Sequence, residues 1–201
     1  PQTGIGSADV IYEMETEGGI TRMMAVFADY TTMPLVGPVR SSRDQFVQLV
    51  LPMNALFVHI GGSTYATEML EKYKYGDKEI DGKYKSKYLQ FDSVRHQSKA
   101  TEHCWYTGAD LLASAIKEYG IDTKATENRT VFDFVRYDET PRVLPDGDAT
   151  GIKIRFSGYE TATLDFKDGK YYKSEFGEPQ IDANNNQQLA FDNVFVLFTT
   201  I

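Results

Sequence analysis

The sequence predicts an α+β fold, in which an N-terminal α/β domain over residues 1–125 precedes a smaller β-rich module over residues 126–201. In the first part, an apolar run, a glycine turn and a helical pattern follow one another, which is typical of an α/β layer. Beyond Thr130 the helical period disappears, and short alternating runs replace it. The chain has 201 residues, of which 41% are hydrophobic, so it can bury a sizeable core.

The first two predicted strands flank the pair Gly18-Gly19. The second run is rich in β-branched and aromatic residues, and a glycine pair permits the positive φ angles of a tight hairpin. The pattern therefore favours two antiparallel strands, over residues 10–17 and 20–30. The alternative is a short helix over residues 8–17, with Ser7 as its N-cap.

The next segment changes to a helical period. Its apolar residues between positions 46 and 51 fit one face of a helix that begins near Ser41 or Ser42. We expect this helix to end before Pro52, because proline lacks the N–H that a helix interior requires. A buried strand over residues 55–60 follows.

A glycine turn then introduces a second helix. Gly61-Gly62-Ser63 is expected to lead into a helix over residues 65–73, with Ser63 or Thr64 as its cap. Residues 74–99 are rich in Lys, Tyr, Asp and Gly, a composition that predicts an exposed segment with one short strand over residues 88–91.

For the last part of the chain, the sequence predicts one helix followed by strands. Thr107 is expected to cap a helix over residues 108–119 that ends at Gly120. Asp168-Gly169 has the composition of a hairpin turn. The predicted strands cover residues 152–156, 161–166, 171–175 and 193–199.

Several segments of the chain are similar to a known family. In chain order they are Pro1-Gln2-Thr3-Gly4, Ser7-Ala8-Asp9-Val10-Ile11-Tyr12-Glu13, Glu17-Gly18-Gly19-Ile20-Thr21-Arg22, Gly37-Pro38-Val39-Arg40-Ser41-Ser42-Arg43, His59-Ile60-Gly61-Gly62-Ser63, Tyr171-Tyr172-Lys173 and Phe191-Asp192-Asn193-Val194. As a set they resemble the YerB-like family of bacterial lipoproteins, a family of unknown function. The resemblance implies an extracytoplasmic protein that is lipid-anchored to the cell membrane through a cysteine upstream of this sequence. It implies no reaction.

Charge and composition narrow the classes of partner. The formal net charge is −8 and the isoelectric point is about 4.9, so we expect no nucleic acid partner. The single cysteine, Cys104, excludes an internal disulfide. No run is long enough for a membrane span, and we expect contact with the membrane only through the lipid anchor. Both ends look trimmed, so we expect further segments beyond them.

The loop over residues 37–43 is the most prominent candidate site. A helix start exposes backbone N–H groups, and the side chains of Arg40, Ser41 and Arg43 add donors that suit a phosphate or a carboxylate. Arg22 shares a strand face with apolar neighbours and needs a partner if it is buried. The alternative is that the arginines simply pair with glutamates of the hairpin, Glu13 and Glu17 among them.

His59 and Ser63 flank a strand-to-helix turn, where a histidine base beside a serine nucleophile is one interpretation. A buried histidine and a serine N-cap are the other. The histidines His59, His96 and His103 lack the spacing of known zinc sites, so we expect no metal site. We also expect no cofactor.

These observations lead to three hypotheses of function. The first is an extracytoplasmic binding domain for an anionic cell-envelope polymer or peptide. The second is an envelope hydrolase or transferase that uses His59 or His103 as a general base. The third is a protein-interaction scaffold. The expected ligand-binding residues are Arg22, Arg40, Ser41, Arg43, His59, Ser63, His103, Glu13 and Glu17.

Overall fold

The computed structural model of the chain describes residues 1–124, 135–136, 138–140, 142 and 145–199. Within these residues, three α-helices and several small sheets form a mixed α+β fold whose C-terminal part is rich in strands. This architecture confirms the fold class that the sequence predicts.

The N-terminal hairpin consists of β1 (Val10–Glu15) and β2 (Thr21–Val26), which pair antiparallel along their whole length. Gly18 and Gly19 both have positive φ angles, 76° and 70°, in the turn between them. The predicted hairpin is confirmed, and the helical alternative over residues 8–17 is wrong. The glycine pair makes the reversal possible, because it allows left-handed backbone at no steric cost.

Helix α1 (Asp44–Met53) begins later than predicted, with Arg43 at its N-cap position. Ser42 is extended because it bridges to the next loop: its N–H donates to the Gly61 carbonyl over 2.9 Å, and its carbonyl accepts from Ser63 N over 3.1 Å. The predicted end before Pro52 is also wrong. Pro52 costs the helix only the hydrogen bond to the carbonyl four residues earlier, because the helix ends at the next residue, Met53.

A parallel strand pair forms the centre of the first half. β3 (Phe57–His59) pairs in parallel with β4 (Glu79–Asp81), and helix α2 (Thr64–Lys72) follows β3. Ser63 caps α2 as predicted, since its hydroxyl oxygen accepts from Ala66 N over 3.1 Å. Helices α1 and α2 and strand β3 enclose a core that consists of Val47, Val50, Phe57, Ala66, Leu70 and Tyr75.

Residues 74–99 do not form the exposed segment that their composition predicts. Ile80 is fully buried and Tyr88 is 3% exposed. Both belong to a second core that includes Leu112, Ala115 and Ile121. Single apolar residues between lysines give little periodic signal, although a strand beside β3 buries its central side chain completely.

Two short strands, β5 (Gln90–Phe91) and β6 (Trp105–Tyr106), precede helix α3 (Ala109–Tyr119). Gly108, and not Thr107, occupies the N-cap position of α3. The backbone of Thr107 is already paired with Val36 in both directions, over 2.7 and 2.9 Å. The predicted end of the helix at Gly120 is confirmed.

A five-stranded antiparallel sheet and a separate strand pair form the C-terminal part. The strands of the sheet are β7 (Gly151–Arg155), β8 (Thr161–Lys167), β9 (Lys170–Glu175), β10 (Glu178–Pro179) and β13 (Ala190–Phe191), whereas β11 (Ile181–Asp182) and β12 (Gln187–Gln188) pair only with each other. The sheet runs β7-β8-β9, and β10 and β13 both pair with β9. Asp168 and Gly169 turn between β8 and β9 as predicted, with φ angles of 51° and 84°. The predicted strand over residues 193–199 is not formed by the described residues there.

A buried carboxylate fastens the N-terminal segment to the C-terminal strands. Asp182 is 1% exposed. Its two oxygens accept from Gly4 N over 2.7 Å and from Gly6 N over 2.8 Å. Asn184 N donates to the same carboxylate over 2.8 Å. Charge-assisted bonds of this kind are stronger than neutral ones, so Asp182 is a principal link between the two ends of the chain.

A second buried cluster links the hairpin to β9. The Thr21 hydroxyl lies 3.0 Å from Glu13 and 2.7 Å from Glu160, and the Lys173 ammonium donates to Glu13 over 3.2 Å. The carboxylates of Glu13, Glu160 and Glu175 all lie within 4.8 Å of one another. Burial, the hydrogen bond with Glu160 and the neighbouring carboxylates raise the pKa of Glu175 to about 7, against the lowering effect of Lys173. The single ammonium of Lys173 does not offset the charge of three carboxylates, so Glu175 keeps its proton to a higher pH than a free carboxyl group does.

The Asp182 carboxylate is expected to be essential for stability. In Asp182→Asn, an amide N–H group would replace one of the acceptor oxygens and would face a backbone donor. We expect a loss of about 2–3 kcal/mol in the free energy of unfolding, measured by urea denaturation. Asp165→Asn, on the exposed part of β8, is the matched control and should change stability little. Equal stability of the two variants would contradict the role of Asp182.

Glu175 is expected to make stability depend on pH. Because its pKa is raised from 4.5 to about 7, its favourable contribution is present below pH 4.5 and is lost as the pH rises through about 7. Glu175→Gln keeps the shape without the charge, so it should be more stable than the wild type at pH 8. We expect a difference on the order of 2 kcal/mol, reduced by solvent screening, and almost none at pH 4. Thermal melting of both proteins at the two pH values checks this, with Glu178→Gln as control. A difference that does not change with pH would refute it.

Candidate functional site

The backbone around Arg40 is held between strand β6 and the turn that follows β3. Val39 N donates to the Trp105 carbonyl over 2.7 Å, and Ile60 N donates to the Arg40 carbonyl over 3.2 Å. Gly37 is required in this arrangement, because a Cβ atom there would lie 2.6 Å from the Tyr106 ring. The chain therefore carries Arg40 into a fixed position between the turn that follows β3 and the residues that precede β6.

Arg22 and Arg43 are occupied by structural partners. Arg43 Nε donates to Glu17 over 2.7 Å, Arg43 Nη2 contacts the other oxygen of the same carboxylate, and Arg43 Nη1 donates to the Ser42 carbonyl over 2.7 Å. Arg22 Nη1 donates to the Ser41 carbonyl over 2.6 Å, and Arg22 Nη2 lies 3.5 Å from Glu17. The hydrogen bond from Arg43 lowers the pKa of Glu17 to about 2. Ser41 contributes its carbonyl group to this network.

Arg40 differs from these two arginines in its partner. Its Nη1 group lies 2.8 Å from His103 Nδ1. Among the described residues, no carboxylate lies within 4.0 Å of the Arg40 guanidinium. Burial and then the charge of Arg40 lower the pKa of His103. His103 therefore accepts this hydrogen bond as a neutral ring, and the charge of Arg40 stays uncompensated by an acid.

Two further cations, Arg95 and Lys99, lie close enough to His103 for their charges to act on it. Both lower the pKa of His103 through their charge, whereas Glu102 raises it. The Nε atom of Arg95 is buried and has no hydrogen-bond partner in the described part of the chain. Neither residue was predicted from the sequence. The four-residue spacing of Arg95, Lys99 and His103 suggests one helix face, but two separate 3-10 turns, Arg95–Gln97 and Thr101–His103, carry this part of the chain.

The remaining predicted residues lie elsewhere or face other partners. His59 is 3% exposed, and its ring nitrogens lie 2.8 Å from the Gly61 carbonyl and 2.8 Å from Glu79. The Ser63 hydroxyl caps α2, so His59 and Ser63 do not form a base and nucleophile pair. Glu13 belongs to the cluster with Lys173 and not to the arginine group.

A cleft of about 350 Å³ opens beside Glu17. Its lining consists of Glu15, Thr16, Glu17 and Gln45. Two carboxylates make this cleft unsuitable for an anion. The group around Arg40 and His103 is therefore the better candidate for an anionic ligand.

The different roles of the arginines lead to a test of stability. Arg43→Ala removes the bonds to Glu17 and to the Ser42 carbonyl, so we expect it to lower the free energy of unfolding by about 1–2 kcal/mol. Arg40→Ala leaves no buried carboxylate unpaired and should cost less than about 0.5 kcal/mol. Urea denaturation of both variants measures the difference. The reverse order of stability would show that Arg40, too, is a structural residue.

Comparison with known proteins places the chain in a family. Residues 1–122 match the model described as "Protein of unknown function (DUF3048) N-terminal domain", and residues 152–201 match the corresponding C-terminal domain. The chain is 29% identical, over 98% of its length, to a Bacillus subtilis (strain 168) protein named "Putative lipoprotein YerB". It spans 57% of that protein.

The fold is also similar to a solved structure. The crystal structure of YerB from Bacillus subtilis superposes with a TM-score of 0.75 at 24% identity, over 94% of this chain and 61% of that one. Among the described residues, no helix has both the length and the apolar character that a membrane span requires. The resemblance noted in the sequence is confirmed: the chain belongs to the family of proteins of unknown function (DUF3048) that both models describe, and it is similar to YerB.

Proposed function

We propose that this chain is an extracytoplasmic, lipid-anchored domain of the cell envelope that binds an anionic ligand. The binding site would consist of Arg40, His103, Arg95 and Lys99, which we call the cationic site. The observation that carries the proposal is the Arg40 guanidinium, which has a neutral histidine as its partner where Arg22 and Arg43 have a carboxylate. The name of the similar protein, "Putative lipoprotein YerB", supports the proposed location.

The chemistry of the cationic site suits a phosphate or a carboxylate group. A guanidinium presents five N–H donors in a planar fork, and the structure gives His103 as the partner of one Arg40 nitrogen. The remaining donors match the oxygens of an anion. Because the chain carries a net charge of −8, a local group of cations around Arg40, which has no carboxylate within 4.0 Å among the described residues, favours a small anionic group over a long nucleic acid backbone.

The two paired arginines, Arg22 and Arg43, stabilise the backbone next to the cationic site. Arg22 and Arg43 donate to the carbonyl groups of Ser41 and Ser42, and both contact Glu17. These bonds hold the backbone that follows Arg40. A fixed backbone lowers the entropy that the ligand must offset, so these residues position the site without contacting the ligand.

The same geometry bears on the scaffold hypothesis. A scaffold without a ligand site would be favoured if all three arginines were paired with glutamates of the hairpin. Arg22 and Arg43 meet this description, whereas Arg40 does not. An anionic envelope polymer or a peptide carboxylate therefore remains the ligand class that we favour.

Calorimetry tests this proposal directly. The probes are a short glycerol phosphate polymer and polyglutamate, titrated at low ionic strength, where exposed charges are least screened. We expect Arg40→Ala to weaken binding about 10- to 100-fold, since it removes charge-assisted hydrogen bonds. Arg155→Ala, which removes an exposed arginine on β7, is the control and should bind like the wild type. Unchanged affinity of Arg40→Ala for both probes would end the proposal.

The pH dependence of binding provides a second readout. An anion at Arg40 offsets the charge that lowers the pKa of His103, so binding should raise that pKa. By linkage, binding then takes up a proton, and affinity should increase as the pH falls from 8 towards 6. His103→Gln should abolish this dependence while it retains part of the affinity. A pH profile that is identical in the variant would remove His103 from the site.

A further inference from the structure

The ends of two parallel strands bring a histidine and two carboxylates together. His59 ends β3 and lies opposite Asp81 on β4, whereas Glu79 lies two residues earlier on the same face of β4. One ligand atom from each of the three side chains lies within 4.8 Å of the others. The carboxyl ends of parallel strands are a common location for ligand sites in α/β folds.

The hydrogen-bond partners of His59 show which ring nitrogen carries a hydrogen and which one faces a carboxylate. Its Nδ1 atom lies 2.8 Å from the Gly61 carbonyl oxygen, which can only accept, so Nδ1 carries a hydrogen. Its Nε2 atom lies 2.8 Å from Glu79 Oε1, a second acceptor. In the neutral ring, two lone pairs would therefore face each other. A positively charged species, either a proton or a metal ion, has to relieve this contact.

From this arrangement we propose that His59, Glu79 and Asp81 bind a divalent first-row transition-metal ion. A metal-ligating histidine usually donates its other ring N–H to a backbone carbonyl or a carboxylate, as Nδ1 of His59 does to Gly61. One imidazole nitrogen with carboxylate oxygens suits zinc or manganese better than calcium, which prefers oxygen ligands throughout.

Charge also favours a divalent ion over a single proton. Among the described residues, neither the Glu79 nor the Asp81 carboxylate has a lysine or arginine side-chain nitrogen within 4.0 Å, so no neighbouring cation offsets their charge. His59 is 3% exposed and the Glu79 side chain is 20% exposed, so much of this charge is removed from solvent. The nearby Lys85 ammonium donates to the backbone carbonyl of Glu79, over 2.7 Å, and leaves its carboxylate to His59.

Two backbone hydrogen bonds hold the carboxylate of Asp81 in place. Its Oδ1 atom accepts from Gly61 N over 2.7 Å and from Lys83 N over 2.8 Å. These bonds orient the carboxylate, which supplies the third ligand atom beside His59 Nε2 and Glu79. With metal–ligand bonds of about 2.1 Å, the separation of His59 Nε2 and Glu79 Oε1 corresponds to an angle of about 85°. Such an angle fits neighbouring positions of a five- or six-coordinate ion whose other ligands are water.

The sequence led us to expect no metal site, because the histidines lack the spacing along the chain that known zinc sites have. His59 and its carboxylate partners are about twenty residues apart in sequence, and the strand pairing brings them together. The other carboxylate group, at Glu13, Glu160 and Glu175, already contains the Lys173 ammonium and offers a metal less.

Zinc titration of the chelator-treated, dialysed chain tests the site. Calorimetry should show one Zn²⁺ ion bound per chain, with Mn²⁺ binding more weakly and Mg²⁺ not measurably. Glu79→Gln should weaken Zn²⁺ binding at least 10-fold. This partly exposed position should tolerate the change, and circular dichroism of the variant verifies that it folds. His96→Gln removes an exposed histidine outside the site and should bind Zn²⁺ as the wild type does.

Thermal melting adds an independent measurement. Saturating Zn²⁺ should raise the melting temperature of the wild type and of His96→Gln, but not that of folded Glu79→Gln. The proposal is wrong if the wild type binds no stoichiometric Zn²⁺ or if Glu79→Gln binds it equally well. The outcome is independent of the anion site, because Arg40→Ala should retain Zn²⁺ binding and Glu79→Gln should retain anion binding.

Discussion

The N-terminal half depends on one extended segment, from Val36 to Ser42, whose backbone is bonded on both sides. Val36 exchanges two hydrogen bonds with Thr107, and Gly37 exchanges two with Thr3. At the other end, Ser42 bonds to the turn after β3. The segment thus joins the N-terminus, the strand before α3 and the α1–α2 core, although it is too irregular to count as a strand of any sheet.

This segment also determines which cations are paired. Its carbonyl groups at Ser41 and Ser42 occupy donors of Arg22 and Arg43, and the same arginines share Glu17. Arg40 points to His103 instead. One carboxylate among three arginines leaves the charge of Arg40 without an acid, and burial together with that charge lowers the pKa of the neighbouring His103.

The sequence predicted correctly those turns and helix ends that depend on the residue type at one or two positions. The Gly18-Gly19 and Asp168-Gly169 turns, the Ser63 cap and the Gly120 helix end depend on the conformational preferences of single residues. The start of α1 and the burial of Ile80 depend on pairing with strands or loops about twenty residues away, which no local pattern reports. For the candidate site, the sequence predicted that arginines and a histidine would take part. It could not predict that Arg40, and not Arg43, lacks a carboxylate partner, because the two arginines flank the same two serines.

The Gly61 peptide group connects the arginine segment to the histidine and carboxylate cluster. Its carbonyl oxygen accepts from Ser42 N over 2.9 Å and lies 2.8 Å from His59 Nδ1, while its N–H donates to Asp81 over 2.7 Å. The orientation of this one peptide is therefore set jointly by the backbone that carries Arg40 and by the side chains at the ends of β3 and β4. A rotation of the His59 ring would have to move the Gly61 carbonyl or give up its bond. The two sites therefore share one backbone support at Gly61, while the side chains that would bind their ligands are separate.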